Sequence, residues 1–185
     1  MTKKIFTLII TLISMYSISQ ENSESVDLFK TSEIANVIKK DTLNIDKSRD
    51  LLIIPVGKMF RKYFEKINYF KEVITYDVFE KEIKNANISE EKYKDSKNIA
   101  DAYKVVYNNH RKFLTFKMFI DNDKNTLKFV LNRPDLGDIF IVEGKSKTNL
   151  IGISAGQNYI PENVYNAMMN ELVNYIKTNS KTFLK

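Results

Sequence analysis

Residues 50–76 read DLLIIPVGKMFRKYFEKINYFKEVITY, and this stretch decides which fold the chain adopts. It begins with a nearly continuous apolar run that ends at Pro55 and Gly57, which is typical of a strand buried on both faces near the centre of a sheet. From residue 58 to residue 67 the apolar side chains recur at helical spacing, with charged side chains on the opposite side. The β-branched and aromatic residues 72–76 then predict a second strand. A strand, a helix and a strand in so short a stretch predict a βαβ unit with parallel pairing.

The sequence before and after this unit predicts further helices and an antiparallel meander. Upstream, Thr31 or Ser32 can cap a short helix that would run to Lys40 and carry Ile34, Val37 and Ile38 on one face. Downstream, Asp77 can cap a second helix, and a third helical pattern ends at Asn109. Three segments in which apolar and polar residues alternate then predict antiparallel strands. These segments are 113–121, 126–132 and 139–145.

The last apolar stripe predicts the longest helix and completes the expected fold. It begins at Pro161, a favourable first-turn residue, and places Val164, Met168 and Leu172 on one side. The fold class expected from these elements is α/β, more precisely a mixed α+β arrangement. One domain over residues 31–185 would hold a mixed sheet that is covered by helices, including the long C-terminal one.

Residues 1–19 have the pattern of a secretory signal peptide. Lys3 and Lys4 precede a short apolar run, and Ser17 and Ser19 stand at the small-residue positions of a cleavage site before Gln20. The run is shorter than the roughly 20 residues that a spanning helix needs, which makes a retained membrane anchor the less favoured alternative. We therefore expect a periplasmic or secreted protein with no transmembrane segment after cleavage. In that protein residues 20–30 would form a flexible leader.

The composition excludes several kinds of chemistry. The 185 residues include no cysteine and one histidine, which excludes disulfides, thiolate zinc sites, cysteine nucleophiles and multi-histidine metal centres. Without a cysteine the chain also has no lipid-attachment site. The formal charge of +6 comes from lysines spread along the chain, while the arginines are scattered, so we expect no nucleic-acid partner.

Two fragments of known motifs fail in their context. Residues 121–125 have the spacing of the first calcium ligands of an EF-hand, but Thr126 and Asn132 stand where the loop needs glycine and glutamate, so a hairpin turn is predicted. Residues 144–146 resemble the end of a phosphate-binding loop, but Ile139 replaces the required glycine and the surrounding pattern is that of a strand. Neither fragment predicts a metal ion or a cofactor, and we expect none.

The sequence leaves the question of catalysis open. His110 lies in a polar, basic junction between a helix and a strand, where a surface histidine is the simple interpretation. The lack of any catalytic motif favours a protein with no chemistry of its own. The alternative is a secreted hydrolase with a serine or threonine nucleophile and His110 or a lysine as the base, which requires a pocket and a nearby carboxylate.

The helix over residues 58–67 and the aromatic turn after it form the candidate interaction surface. This region is basic on one side and aromatic on the other, and aromatic side chains anchor protein interfaces. An exposed sheet edge, which can accept an added strand, is the other candidate surface. Core packing is the competing interpretation for its aromatic side, and contact with an anionic membrane surface is a further one. The candidate residues are Lys58, Phe60, Arg61, Lys62, Tyr63, Tyr69 and Phe70.

The order of the elements resembles that of a group of bacterial envelope domains. The resemblance is carried by the strand LLIIPVGKMF, by FEKINYFKEVITYDVFEKEI, and by the meander and terminal helix DLGDIFIVEGK and PENVYNAMMNELVNYIKTNS. The group includes the curli-export lipoprotein, the amino-terminal domain of the periplasmic Tol-system protein and outer-membrane activators of penicillin-binding proteins. The resemblance implies a non-enzymatic binding or assembly module. As partner of such a module we expect another envelope protein or a small ligand. Unlike many members of the group, this chain has no lipid-attachment cysteine.

Overall fold

The apolar run after Asp50 folds into a strand that is buried on both faces, as its composition predicts. The computed structural model describes residues 28–55, 58–85, 99–121, 123–146 and 161–183. Its strands are β1 (Asn36–Lys40), β2 (Leu52–Ile54), β3 (Val73–Thr75), β4 (Leu114–Asp121), β5 (Thr126–Arg133) and β6 (Gly137–Lys145). Its helices are α1 (Lys58–Ile67), α2 (Tyr76–Asn85), α3 (Ile99–Asn109) and α4 (Glu162–Asn179), with a 3-10 turn at Asp46–Ser48.

The strands form one mixed sheet in the order β1-β6-β5-β4-β2-β3. Strand β2 pairs in parallel with both β3 and β4, so that Ile53 lies between Ile74 and Thr115. The other neighbours pair antiparallel. The predicted βαβ unit, the meander and the α+β class with a single domain are therefore confirmed.

The two faces of the sheet carry different helices because the side chains of β2 alternate between them. Leu52 and Ile54 enter the larger core, where α1 and α4 cover one face of the sheet. Leu51 and Ile53 enter a smaller core under α2 and α3 on the other face. Within the described ranges no helix is both long and apolar enough to cross a membrane.

The two rejected motif fragments have structural roles. The carboxylate of Asp121 accepts a hydrogen bond from the backbone N–H of Lys124 at 3.1 Å, in the hairpin between β4 and β5. Gly144 lies in β6 where the strand approaches α4, and a Cβ there would stand 2.5 Å from Val164 Cγ1 and 2.6 Å from Met168 Sδ. The predictions of a turn and of a strand are both confirmed, and Gly144 is required for packing.

The prediction of a helix over residues 31–40 is wrong. Residues 36–40 form β1, which pairs antiparallel with β6 and places Val37 opposite Val142. Ile34 and Ile38, which a helix would have turned toward the core, are 91% and 50% exposed. The unpaired edge of β6 selects the extended form, because cross-strand pairing outweighs the weak helical propensity of so short a segment.

The N-terminal predictions fall mostly outside the described residues. The signal peptide over residues 1–19 lies outside them, as does the leader up to residue 27. The last part of that leader is different from the expectation, because Phe29 is only 4% exposed and belongs to the larger core. The C-terminal end of the flexible leader predicted over residues 20–30 is therefore packed against the domain.

Candidate ligand-binding cavity

The aromatic half of the predicted interaction surface is in the protein core. Phe60, Tyr69 and Phe70 are buried in the larger core, so they are not available to a partner. The cations on the other side of α1 are exposed, as the amphipathic pattern requires; these are Lys58, Arg61 and Lys62. Core packing is thus the correct interpretation of the three buried rings.

Tyr63 is the predicted surface residue with the most specific contacts. Its half-buried ring lies 4.5 Å from the ring of Tyr165 and 4.9 Å from the ring of Phe29. Its hydroxyl donates a hydrogen bond to Asn166 Oδ1 at 2.8 Å. Burial, followed by the negative charge of Glu162, raises the pKa of the Tyr63 phenol, so Tyr63 is a neutral donor at physiological pH.

His110 is exposed where α3 ends, and its backbone N–H donates to the carbonyl of Val106 at 2.9 Å. Its neighbour Arg111 forms an ion pair with Glu72 at 2.5 Å. The histidine lies outside the cavity described next. The surface interpretation of His110 agrees with this exposed position.

A cavity of about 500 Å³ lies at the carboxyl end of β2, on the face of the sheet that carries α2 and α3. Parallel strands bring their carboxyl ends to one edge of a sheet, and crevices at that edge are common ligand sites in α/β folds. Here the β2 end contributes Pro55, while α2 follows β3 directly and contributes Tyr76. The remaining walls come from α2 and α3, from β4, from the end of β5 and from the β5–β6 turn. They are formed by Glu80, Ala100, Tyr103, Thr115, Lys117, Met118, Phe119, Asn132, Pro134 and Gly137.

The register of the meander places polar side chains on the cavity wall. Thr115 of β4 lies opposite Asn132 of β5, which in turn lies opposite Asp138 of β6. The side-chain amide of Asn132 donates to Asp138 Oδ1 at 2.8 Å. That bond uses one amide hydrogen of Asn132. The other amide hydrogen and the carbonyl oxygen can then bind a ligand in the cavity. At the turn beside it, Gly137 adopts φ +85°, a conformation that favours glycine.

The hydroxyl of Thr115 is the most unusual polar group in the cavity. The residue is 1% exposed and its oxygen is closed off from solvent. Among the described residues it has no hydrogen bond of good geometry, and its contact with the Tyr76 hydroxyl is a weak one. The hydroxyl of Tyr76 is nearby but donates to the carbonyl of Phe116, at a long 3.3 Å. Burial raises the pKa of the Tyr76 phenol, although the nearby Thr115 hydroxyl opposes the shift, so Tyr76 also stays neutral.

The residues that line the cavity fit a binding site better than a catalytic site. Most of its wall is aromatic or apolar, with Lys117 from β4 and Glu80 from α2 as half-buried charged residues. The Thr115 hydroxyl has no base within hydrogen-bond distance in the described part of the chain, so nothing there activates it as a nucleophile. The described residues contain no group of three His, Asp or Glu side chains that would hold a metal ion.

Sequence analysis did not single out this cavity. Pro55 after a buried strand was a usable signal, because the carboxyl ends of parallel strands are where ligands bind. A second signal was Thr115, a hydroxyl in an otherwise apolar run, LTF. The polar row it forms with Asn132 depends on the strand register, which the local sequence does not reveal.

Comparisons of the chain with protein-family models, with curated proteins and with solved structures found no match.

Proposed function

We propose that this protein is an exported binding module of the bacterial envelope, with no chemistry of its own, whose cavity takes a small amphipathic organic ligand. The observation that carries this proposal is the Thr115 hydroxyl, a buried polar group in the wall of the cavity whose one recorded contact, with Tyr76, falls short of good hydrogen-bond geometry. Leaving such a group unsatisfied costs about 1–3 kcal/mol. A ligand atom that hydrogen-bonds to it would recover this cost once the Tyr76 side chain, which lies against the Thr115 hydroxyl, has turned aside. This favours a molecule with a polar group at that position.

The walls of the cavity indicate the class of ligand. Tyr76 and Tyr103 lie with their rings nearly parallel, 13° between planes, and Phe119 adds an exposed ring. Such walls suit a planar or cyclic body, while Lys117 suits a carboxylate or another anionic group. We therefore favour an aromatic or cyclic carboxylate with a hydrogen-bonding group that reaches Thr115.

The hydrolase alternative is less well supported than binding. It requires a base beside a hydroxyl nucleophile, and His110 is exposed outside the cavity. Lys117 shares the cavity with Thr115, but no hydrogen bond joins the two side chains, judged within the described residues. Binding needs only the groups that are present, whereas hydrolysis needs an activation that the geometry does not provide.

The test is a screen of the protein against a fragment library of aromatic carboxylates and amides, with chemical-shift perturbation as the readout. We expect hits whose perturbations centre on Tyr76, Thr115, Lys117 and Asn132. For the best hit, Thr115→Val should weaken affinity about tenfold, which corresponds to the loss of one hydrogen bond. Thr126→Val is the matched control, since Thr126 begins β5 at the end away from the cavity.

Two results would count against the proposal. Hits scattered over the surface would show that the cavity is not the binding site. An affinity that neither Thr115→Val nor Thr126→Val changes would show the same. Turnover of aryl esters by the wild-type protein that Thr115→Val abolishes would instead favour the hydrolase.

A further inference from the structure

The ligand cavity contains two residues of opposite charge that do not pair with each other. Glu80 of α2 and Lys117 of β4 both line the cavity, and both are half-buried. Within the ranges that the structure describes, neither side chain forms an ion pair or a hydrogen bond. The carboxylate and the ammonium group are therefore further apart than the roughly 4 Å of an ion pair. Each of them can bind a ligand group of the opposite sign.

The two charges come from the two layers that enclose the cavity. Lys117 lies two residues after Thr115 on the same face of β4, which is about 7 Å further along the strand. Glu80 lies one helical turn after Tyr76, which is about 6 Å further along α2. Because Tyr76 contacts Thr115, both charges lie about one step away from the same buried hydroxyl. One of them is on the sheet and the other is on a helix that covers it.

This pair of charges discriminates between kinds of ligand. Partial burial of a charged group costs free energy, and a partner of opposite charge offsets that cost. A ligand whose only charge is a carboxylate pairs with Lys117 but brings a second negative charge toward Glu80. A ligand whose only charge is an amine does the reverse. A molecule that carries both groups pairs with both residues and is repelled by neither.

The walls beside the two charges suit an aromatic ring. The rings of Tyr76 and Tyr103 are 6.1 Å apart and nearly parallel. Phe119, which is 54% exposed, follows Lys117 by two residues on the same face of β4. A ligand ring can pack on these side chains, and their π faces also attract a nearby ammonium group. The volume of about 500 Å³ is within the range of sites for small organic molecules.

From these observations we infer that the cavity binds a free aromatic amino acid. Its carboxylate pairs with Lys117, its ammonium group pairs with Glu80, and its ring packs against the aromatic wall. The inference rests on the proposed function, since it concerns the same cavity, and it adds the ammonium group and the residue that binds it. A residue inside a peptide does not carry both charges on one α-carbon, so the free amino acid is the ligand.

The first test compares ligands that share a phenyl ring and differ in their charged groups. These are phenylalanine, phenylpropionate, which lacks the ammonium group, and phenethylamine, which lacks the carboxylate. In titrations followed by NMR, we expect phenylalanine to bind to the wild-type protein about tenfold more tightly than either of the others. An affinity for phenylalanine that is no higher than that for phenylpropionate would overturn the inference.

Variants of the two charged residues test which group each one binds. Glu80→Gln should weaken the binding of phenylalanine about tenfold and should not weaken that of phenylpropionate. Lys117→Gln should weaken the binding of both carboxylates and should not weaken that of phenethylamine. The matched controls are Glu82→Gln and Lys104→Gln, because these residues are exposed on α2 and α3 and do not line the cavity. If Glu80→Gln changes the affinity for phenylalanine no more than Glu82→Gln does, the inference is wrong.

The same measurements separate this inference from the proposed function. If phenylpropionate binds in the cavity and phenylalanine binds no more tightly, the inference fails and the proposed function stands. If none of the three ligands perturbs the signals of Thr115 and Lys117, the inference fails as well. The fragment screen then decides the proposed function by itself.

Discussion

The carboxamide of Asn170 pairs with both backbone polar groups of Phe29, across 141 residues of sequence. Both hydrogen bonds are 2.8 Å long, and both residues are about 4% exposed. This relationship explains why the end of the predicted leader is ordered. The polar, acidic residues before it indicate a mobile segment, but the partner that orders Phe29 lies on the last helix, which a local pattern cannot reveal.

We predict that Asn170→Asp destabilises the protein in a pH-dependent way. The carboxylate keeps the acceptor for the Phe29 N–H but repels the Phe29 carbonyl and places a charge in a buried site. Burial raises the pKa of a carboxyl group above its unfolded value, so the penalty is absent at low pH and grows as the pH rises through the unfolded pKa. Urea denaturation should show a loss of about 2–4 kcal/mol at pH 7 and a much smaller loss near pH 3.

Asn109→Asp is the control for that measurement, because Asn109 is exposed on α3 and its one side-chain hydrogen bond to the described residues is to the carbonyl of Val105 in its own helix. Its free energy of unfolding should change by no more than about 1 kcal/mol, the cost of an exposed carboxylate at a helix C-terminus. An Asn170→Asp variant as stable as the control at pH 7 would show that the two hydrogen bonds between Asn170 and Phe29 do not stabilise the fold.

We predict that Asp46 stabilises the C-terminal end of the fold by about 1–2 kcal/mol at neutral pH. Burial by itself would raise the pKa of Asp46, but hydrogen bonds from Ser180, from the Lys181 N–H and from Thr182 outweigh it and lower the pKa to about 2. Tyr69 also donates to this carboxylate, at 3.0 Å. A lowered pKa means that the contribution is present above the unfolded pKa and is lost as the pH falls toward 2.

The measurement is the free energy of unfolding of Asp46→Asn relative to wild type from pH 7 to pH 2. The difference should be largest at pH 7 and should shrink as the wild-type carboxylate protonates. Asp123→Asn is the control, since Asp123 is an exposed aspartate in the hairpin between β4 and β5. A difference for Asp46→Asn that does not change with pH would show that its hydrogen bonds do not depend on the charge.

The central elements were predictable because their local patterns and their tertiary positions agree. The run 51–54 is apolar at every position, and its side chains are divided between two cores, so every side chain is buried. Helix α1 begins and ends at the predicted residues because its apolar and charged stripes match one covered and one exposed face. In contrast, β1 depends on an edge of β6 that is far away in sequence. The cavity depends on a register between strands, so neither was accessible from local pattern.

We predict that Gly144→Ala is destabilising by about 1–3 kcal/mol, because an added methyl group would overlap α4. The new Cβ would lie 2.5 Å from Val164 Cγ1 and 2.6 Å from Met168 Sδ, well inside contact distance. Val164→Ala removes the first of these atoms, so the Gly144→Ala/Val164→Ala double variant should lose less stability than the sum of the two single variants. Thermal denaturation of the four proteins measures this coupling. Additive losses would show that overlap with Val164 Cγ1 does not account for the cost of Gly144→Ala.

We predict that Thr115→Val leaves the unliganded protein as stable as wild type or more stable by about 1 kcal/mol. The substitution keeps the shape of the side chain and removes a hydroxyl that, within the described residues, has no hydrogen bond of good geometry. Ser48→Ala is the contrasting variant, because the buried Ser48 hydroxyl is 3.1 Å from the Tyr107 hydroxyl and its removal leaves that partner unsatisfied. Ser48→Ala should therefore cost about 1–2 kcal/mol in chemical denaturation. A comparable loss for Thr115→Val would mean that the Thr115 hydroxyl is already hydrogen-bonded without a ligand. The main argument that the cavity binds a ligand would then fail.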